Sequence, residues 1–349
     1  MSFKIINNPS LYCASLITLC FLLTSCESKS QKVVKRTQFL MGTLIEITVR
    51  ETDKDLASKA IDKSFDEISR LENIMSTYLP NSELSKLNIL AGSKKNIPVS
   101  PDLLKVIQRG IHWGKISNGA IDITIGPAAK LWEFDSESPT LPDKHKLLNA
   151  VSLIDYKNIS IEGSSVNLNR PGMSLNLGAM GKGYAVDQAV YILKNFGIKS
   201  GLVNAGGDLM AFGSKEATKP WRIGLQHPRK PERMIASLAI KDKAVATSGD
   251  YQRYFVKGKT RYHHILNPED GWPVSQTMSA TVIAGTVADA DALSTALFVL
   301  GAEKGIDLIN SLEGIEGMIL SNLGSASFSS GFHSLPGLSL QDFKEDLSQ

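Results

Sequence analysis

Asp291 and Thr295 stand four residues apart in DALSTALFVLG, whose apolar spacing predicts a helix. Residues four apart share one helical face, so this carboxylate and hydroxyl could offer two hard oxygens to a magnesium ion. The blander reading is a helix-start carboxylate beside a threonine bonded back to its own backbone, and from spacing alone it prevails. Asp289 adds a carboxylate that a helix points elsewhere. His263 and His264 adjoin in YHHILNPEDGWP, ahead of a proline turn. On a strand only one of them faces inward. An imidazole that titrates near neutrality is a proton acceptor, while a structural or exposed histidine is the competing explanation. H-E-x-x-H, H-x-E…C-x-x-C and G-x-S-x-G do not occur in the chain, which argues against zinc hydrolysis and serine triads.

Asn176 to Val190 reads NLGAMGKGYAVDQAV, with Lys182 among glycines between a predicted strand and a predicted helix. It is neither a Walker loop nor a GxGxxG dinucleotide fingerprint. In NAGGDLMAFG, Gly206 and Gly207 permit positive φ or close approach to a ligand, and Asp208 reads as a turn residue or a site residue. Tyr78, in MSTYLPNSELSKLN, leaves a helix end, where it packs or stacks on a planar ring.

The elements that must position these groups follow from periodicity. TQFLMGTLIEITVR alternates as a strand with a break at Met41–Thr43. Leu56, Ala60, Ile61, Phe65, Ile68, Leu71 and Met75 mark an amphipathic helix over 54–76. Ser100 and Pro101 open a second helix. ISNGAIDITIGPAAKLWEF reads as loop or short helix. MSLNLG, GLVNAGGDLMAFG, WRIGLQH, IASLAIKDKAVATSG, MSATVIAG and EGMILS read as strands or strand-turn units. YAVDQAVYILKNFG, VADADALSTALFVLG and AEKGIDLINSL read as helices, and the serine-rich end after Asn322 as partly loose. Helices and strands intermix without a βαβ rhythm. The expected fold is therefore α+β, with mixed sheets and packed helices, in one large domain that is either a single body or two lobes with the site between them.

Leu11 to Leu23 is an apolar run too short to span a bilayer permanently and suits a secretory leader. It ends in LTSC, a lipobox that makes Cys26 a lipidation site. Residues 1–25 are thus a lipoprotein signal peptide, 26–36 a lipidated start and polar tether, 37–340 the working domain and 341–349 a tail. The mature protein is expected on a cell membrane through its lipid, facing the periplasm or cell exterior; one acyl chain alone anchors weakly. All three cysteines lie in or beside the leader, so neither a disulfide nor a thiol catalyst is expected downstream. With 38 basic and 35 acidic residues and no long charge run, the chain carries no electrostatic footprint for nucleic acid.

Taken in order, MGT, MSTYLPNSELSKLN, ISNGAIDITIGPAAKLW, LNLGAMGKGYAVD, NAGGD, ATSGDY, HHILNPEDGWP and DALSTALFVLG form a specific series. It resembles the FAD:protein FMN transferase family, the ApbE-type flavin transferases long described as thiamine-biosynthesis lipoproteins. The resemblance runs from about Phe39 to at least Ser321. It implies transfer of FMN from FAD to a Thr or Ser hydroxyl of a target protein, with release of AMP. It implies Mg²⁺ held by the Ala179 carbonyl, Asp291 and Thr295, a base at His264 with His263 as fallback, and FAD contacts from Met41, Tyr78, Gly119, Ala120, Ile121, Asn176, Lys182 and Leu266. It implies an acceptor protein with an exposed Thr or Ser, of the kind found in membrane redox-pump subunits or secreted reductases. Asn176 and Asn267 depart from the family's aspartates and lose a charge there. The alternatives are an FAD pyrophosphatase giving FMN and AMP, and a flavin-binding lipoprotein without chemistry. MSATV contains the Ser-Ala-Thr of typical acceptor motifs, which raises self-modification at Thr281, but it reads as a buried strand.

Overall fold

In the computed structural model, which describes residues 32–216 and 218–341, Met41 and Gly42 have φ of 52° and 73°. Two consecutive left-handed residues make the tight turn whose twist suits a hairpin. They join β1 (Lys32–Leu40) to β2 (Thr43–Glu51), paired antiparallel from Leu40↔Thr43. The break expected at Met41–Thr43 is therefore a full reversal, and β1 takes in Lys32–Arg36 of the stretch read as tether. The leader, Cys26 and residues 342–349 lie outside the described residues.

Asp53 caps α1 (Lys54–Met75) by accepting the Asp55 and Leu56 N–H groups, and the predicted apolar stripe is its buried face. Ser82 and Ser100 cap α2 (Glu83–Ile89) and α3 (Pro101–Ile116), either side of β3 (Ile97–Pro98). After Ile116, SNGAIDITI forms a loop leading into α4 (Gly126–Ala129); α5 (Lys144–Val151), β4 (Ile159–Glu162) and β5 (Ser165–Leu168) follow. MSLNLG, expected as a strand, forms none. Its backbone is satisfied by loops and a side chain instead: Leu175 N–H donates to Asn88 Oδ1 at 2.7 Å and Asn176 N–H to the Ile123 carbonyl at 2.7 Å.

Next come α6 (Gly181–Asn195), β6 (Gly201–Ala205), β7 (Asp208–Phe212), β8 (Trp221–Gln226), β9 (Met234–Ile240), β10 (Lys243–Gly249), β11 (Tyr254–Lys257) and β12 (Thr260–His263). The chain continues through β13 (Thr277–Ala284), α7 (Val287–Leu300), α8 (Ala302–Asn310), β14 (Glu316–Ser321), β15 (Ala326–Phe328) and β16 (Ser339–Leu340). The serine-rich end thus supplies two strands.

The main sheet has eight strands in the order β1-β2-β6-β7-β10-β13-β14-β15, and a smaller sheet runs β16-β9-β8. Side chains alternate across β10: Ala244 and Ala246 face the large core with the helices, while Val245 faces a second core with Ile223 and Leu225 of β8. The class is α+β. α7 is apolar nearly all round because it is buried nearly all round, with Leu293, Leu297 and Phe298 fully covered. Each such side chain contributes about 1.5–3 kcal/mol by leaving water, which fixes the helix that carries Asp291. Among the described residues no helix is long and apolar enough to cross a membrane.

Candidate active site

Two helix starts cross to build the site. A Cβ on Gly183 of α6 would sit 2.5 Å from the Val287 carbonyl oxygen and 2.8 Å from Ala288 Cα, so only glycine lets α6 and α7 approach this closely. One turn on, Asp187 accepts the Val287 and Ala288 N–H groups at 2.9 and 3.0 Å, satisfying free donors at the start of α7. Its burial nevertheless pushes its pKa up to about 6. Thr286 caps α7, and Asp289 ties it to α3 by accepting from Arg109 and from the Trp113 indole at 2.8 Å. Asp289 is thus turned to structure rather than chemistry, as the helical geometry predicts. Local spacing does not show the roles of Asp187 and Arg109, because their partners lie about a hundred or more positions away.

At the crossing, Gly183 N–H donates to Asp291 Oδ2 at 3.3 Å. The Lys182 ammonium lies 3.0 Å from Asp208, 3.5 Å from Asp291 and 3.3 Å from the Gly178 carbonyl. Burial works against the lysine's charge, but the two carboxylates outweigh it and hold its pKa above the ordinary value. Burial, with Asp208 beside it, raises the Asp291 pKa, and Lys182 offsets only part of this. Thr295 Oγ1 is 3.2 Å from Ser248 Oγ, which also meets Ser294 at 2.8 Å.

Ala179, Asp291 and Thr295 all line one cavity of about 120 Å³ with Lys182, Asp208, Ser248 and His264. Carbonyl, carboxylate and hydroxyl are the hard-oxygen donors magnesium takes. Two buried carboxylates facing one ammonium leave a negative charge that a divalent cation would neutralise, so the residues fit such an ion. Among the described residues no group of three or more His, Cys, Asp or Glu forms a closed metal cage. Asp208, read only as a turn or site residue, is a full member of the cluster; the NAGGD segment was its signal.

The adjacent histidines part company. His263 is buried, sets Nε2 2.7 Å from the Val274 carbonyl and accepts the Ile265 N–H on Nδ1 at 3.3 Å, so both nitrogens are engaged in packing. His264 lines the cavity, with Nδ1 3.4 Å from the Arg253 carbonyl. With the proton on Nδ1 donating there, Nε2 keeps a free lone pair. Burial, then neighbouring His263 and the charges of Arg253 and Lys182, push the His264 pKa down to about 3, so the ring is neutral at physiological pH.

Ala120, Ile121, Asn176, Lys182 and Leu266 line the same cavity. Gly119, at φ +84°, adjoins it through Ala120. Met41 and Tyr78 are not among the lining residues. Met41 N–H donates to Glu72 at 2.8 Å. Tyr78 is 74% exposed, and its hydroxyl accepts from Arg253 at 3.1 Å. Asn176 Oδ1 accepts the Gly178 N–H at 2.8 Å and Asn267 Oδ1 the Glu269 N–H at 3.1 Å. Both are local turns that need an acceptor oxygen rather than a charge. Thr281 is buried, its hydroxyl 2.8 Å from that of Thr247.

Fold and site together describe an α+β protein with hard-oxygen donors, a lysine and a neutral imidazole gathered in one cavity, the equipment of a phosphate-handling catalyst. The ApbE family pattern matches residues 41–319, and the chain belongs to that family. It is 31% identical over 290 residues to a FAD:protein FMN transferase of Vibrio cholerae, covering 82% of this chain and 86% of the relative. A Treponema pallidum protein of the same description is 29% identical over 330 residues, covering 87% and 90%. The crystal structure of the Thermotoga maritima ApbE protein superposes with a TM-score of 0.81 at 30% identity, covering 87% of this chain and 99% of that one. The apo flavinyl transferase ApbE of Pseudomonas stutzeri gives 0.78 at 29%, covering 88% and 98%.

Proposed function

We propose that this protein transfers FMN from FAD to a Ser or Thr hydroxyl of another protein. The acceptor oxygen attacks the flavin-side phosphorus, the bond to the bridging oxygen breaks, AMP leaves and the FMN phosphate remains as a phosphoester. The observation that carries this reading is the meeting of His264 with Lys182, Asp208, Asp291 and Thr295 in one cavity. The description shared by the relatives supports it.

Ala179, Asp291 and Thr295 would hold Mg²⁺, which when bound supplies positive charge across the diphosphate. His264 Nε2 takes the proton of the acceptor hydroxyl, a role worth about 10²–10⁴-fold in rate. Its low pKa keeps the lone pair available, and the negative diphosphate entering the cavity raises its basicity. Lys182 balances charge beside the phosphates. The diphosphate would sit beside Lys182 and Asp291 in this cavity, and the exposed Tyr78 offers a stacking platform for a planar ring. Cys26 within LTSC supports a lipid anchor that places the enzyme on the outer side of a cell membrane.

The test is to mix the purified chain with FAD, Mg²⁺ and candidate acceptors. Flavin fluorescence that stays with the acceptor after denaturation, with release of AMP, is the expected result. AMP release without labelling would assign a pyrophosphatase, and FAD binding without AMP release a carrier.

A further inference from the structure

A second cavity, of about 520 Å³, lies on the sheet face away from α7. Ile223, Gly224, Leu225 and Gln226 of β8 line it. Consecutive strand residues point to opposite faces, so the groove follows the edge of β8. Among the described residues that strand pairs with β9 alone and ends its sheet. An unpaired strand edge is where an extended peptide adds to a sheet.

The groove meets the candidate active site at Thr247 and Gln252, which line both cavities. None of the positions assigned to FAD lines it. A dinucleotide held at those positions would leave the groove free for a second occupant. Among the described residues, the groove also brings two guanidinium groups to one carboxylate. Arg229 makes two hydrogen bonds of 2.7 Å to Asp250, and Arg261 approaches the same carboxylate at 3.3 Å while lying 4.2 Å over the Tyr254 ring. Two guanidinium groups share one carboxylate, and an incoming carboxylate would complete the pairing.

We propose that this groove docks the acceptor: an extended protein segment lies along β8, pairs an acidic side chain with Arg261 and Arg229, and delivers its hydroxyl past Thr247 and Gln252 to His264. The identity of the delivered group rests on the transferase reading; the docking itself is tested separately.

Fluorescent Gly/Ala peptides with a central threonine and one glutamate scanned through the flanking positions are titrated into the full chain, beside their glutamine counterparts, and binding is read by anisotropy. The expected result is one register in which the glutamate peptide binds about tenfold tighter. Arg261→Gln erases that difference, Arg261→Lys keeps most of it, and Lys59→Gln on α1 leaves it intact. Should Arg261→Gln not fold, Gln226→Glu, on the exposed wall, must weaken glutamate peptides selectively. Equal binding of both peptide sets, or a preference that survives Arg261→Gln, overturns the proposal. Peptides that bind with this preference yet never gain FMN by mass spectrometry would sink the transferase reading and leave the groove standing. FMN transfer indifferent to Arg261 would do the reverse.

Discussion

The Lys182 ammonium lies 3.5 Å from the Asp291 carboxylate, although the two residues are separated by more than a hundred positions and belong to different helices. Lys182 also holds Asp208 at 3.0 Å, so one cation balances two buried anions. The imbalance has consequences that can be measured.

Asp291→Asn relieves the crowding of Asp208 and Asp291 and removes a charge that burial disfavours. The thermal midpoint should hold or rise while Mg²⁺-dependent AMP release from FAD falls by a hundredfold or more, on the scale of about 10²–10³ seen for losing one electrostatic stabiliser. A variant with full rate that ignores EDTA would refute the cation site.

The histidines should separate. His264→Gln keeps FAD binding and loses about 10²–10⁴-fold in transfer. His263→Ala instead leaves the Val274 carbonyl buried without its donor, which costs roughly 1–3 kcal/mol of stability. Unchanged turnover in His264→Gln would remove the base assignment.

His264 also sets a pH dependence. Its pKa is about 3 in the folded chain against an ordinary 6.5. Between those values the unfolded chain binds a proton the folded chain refuses, so stability falls as pH drops through that window. His263 shifts the same way. The buried carboxylates Asp187 and Asp291, with raised pKa values, work in the opposite direction. Comparing thermal midpoints of parent and His264→Gln across acid pH isolates the histidine: the variant should lose less stability.

Gly183→Ala places a methyl against the backbone of Val287 and Ala288, which cannot rotate aside. Helix separation at roughly 1–3 kcal/mol should lower the melting midpoint. It should also weaken metal-dependent activity, since Lys182 and Asp291 ride on the two helices.

Asn176→Asp should change activity little, because Asn176 contributes an acceptor oxygen to the Gly178 N–H, which a carboxylate also supplies. A large gain in FAD affinity, measured by flavin fluorescence quenching, would show that the charge mattered.

Local patterns made much of this legible. The α1 stripe, the Ser100–Pro101 start, the strand-turn units and the i, i+4 pair Asp291–Thr295 depend on neighbours within a few residues, so the sequence determined them by itself. The ordered motif series points to the family, and with it to the candidate site residues. Only the tertiary structure decided which neighbours those residues keep. It withdrew the MSLNLG strand, because Asn88 and Ile123 take its backbone groups. It sent His263 to Val274 and left His264 at the cavity, a choice the period of a strand leaves open. It brought Asp208 and Lys182 to Asp291, and Asp187 to the start of α7. Each is a contact between distant segments, set by how helices and sheets bury their apolar faces together, and no local spacing encodes that.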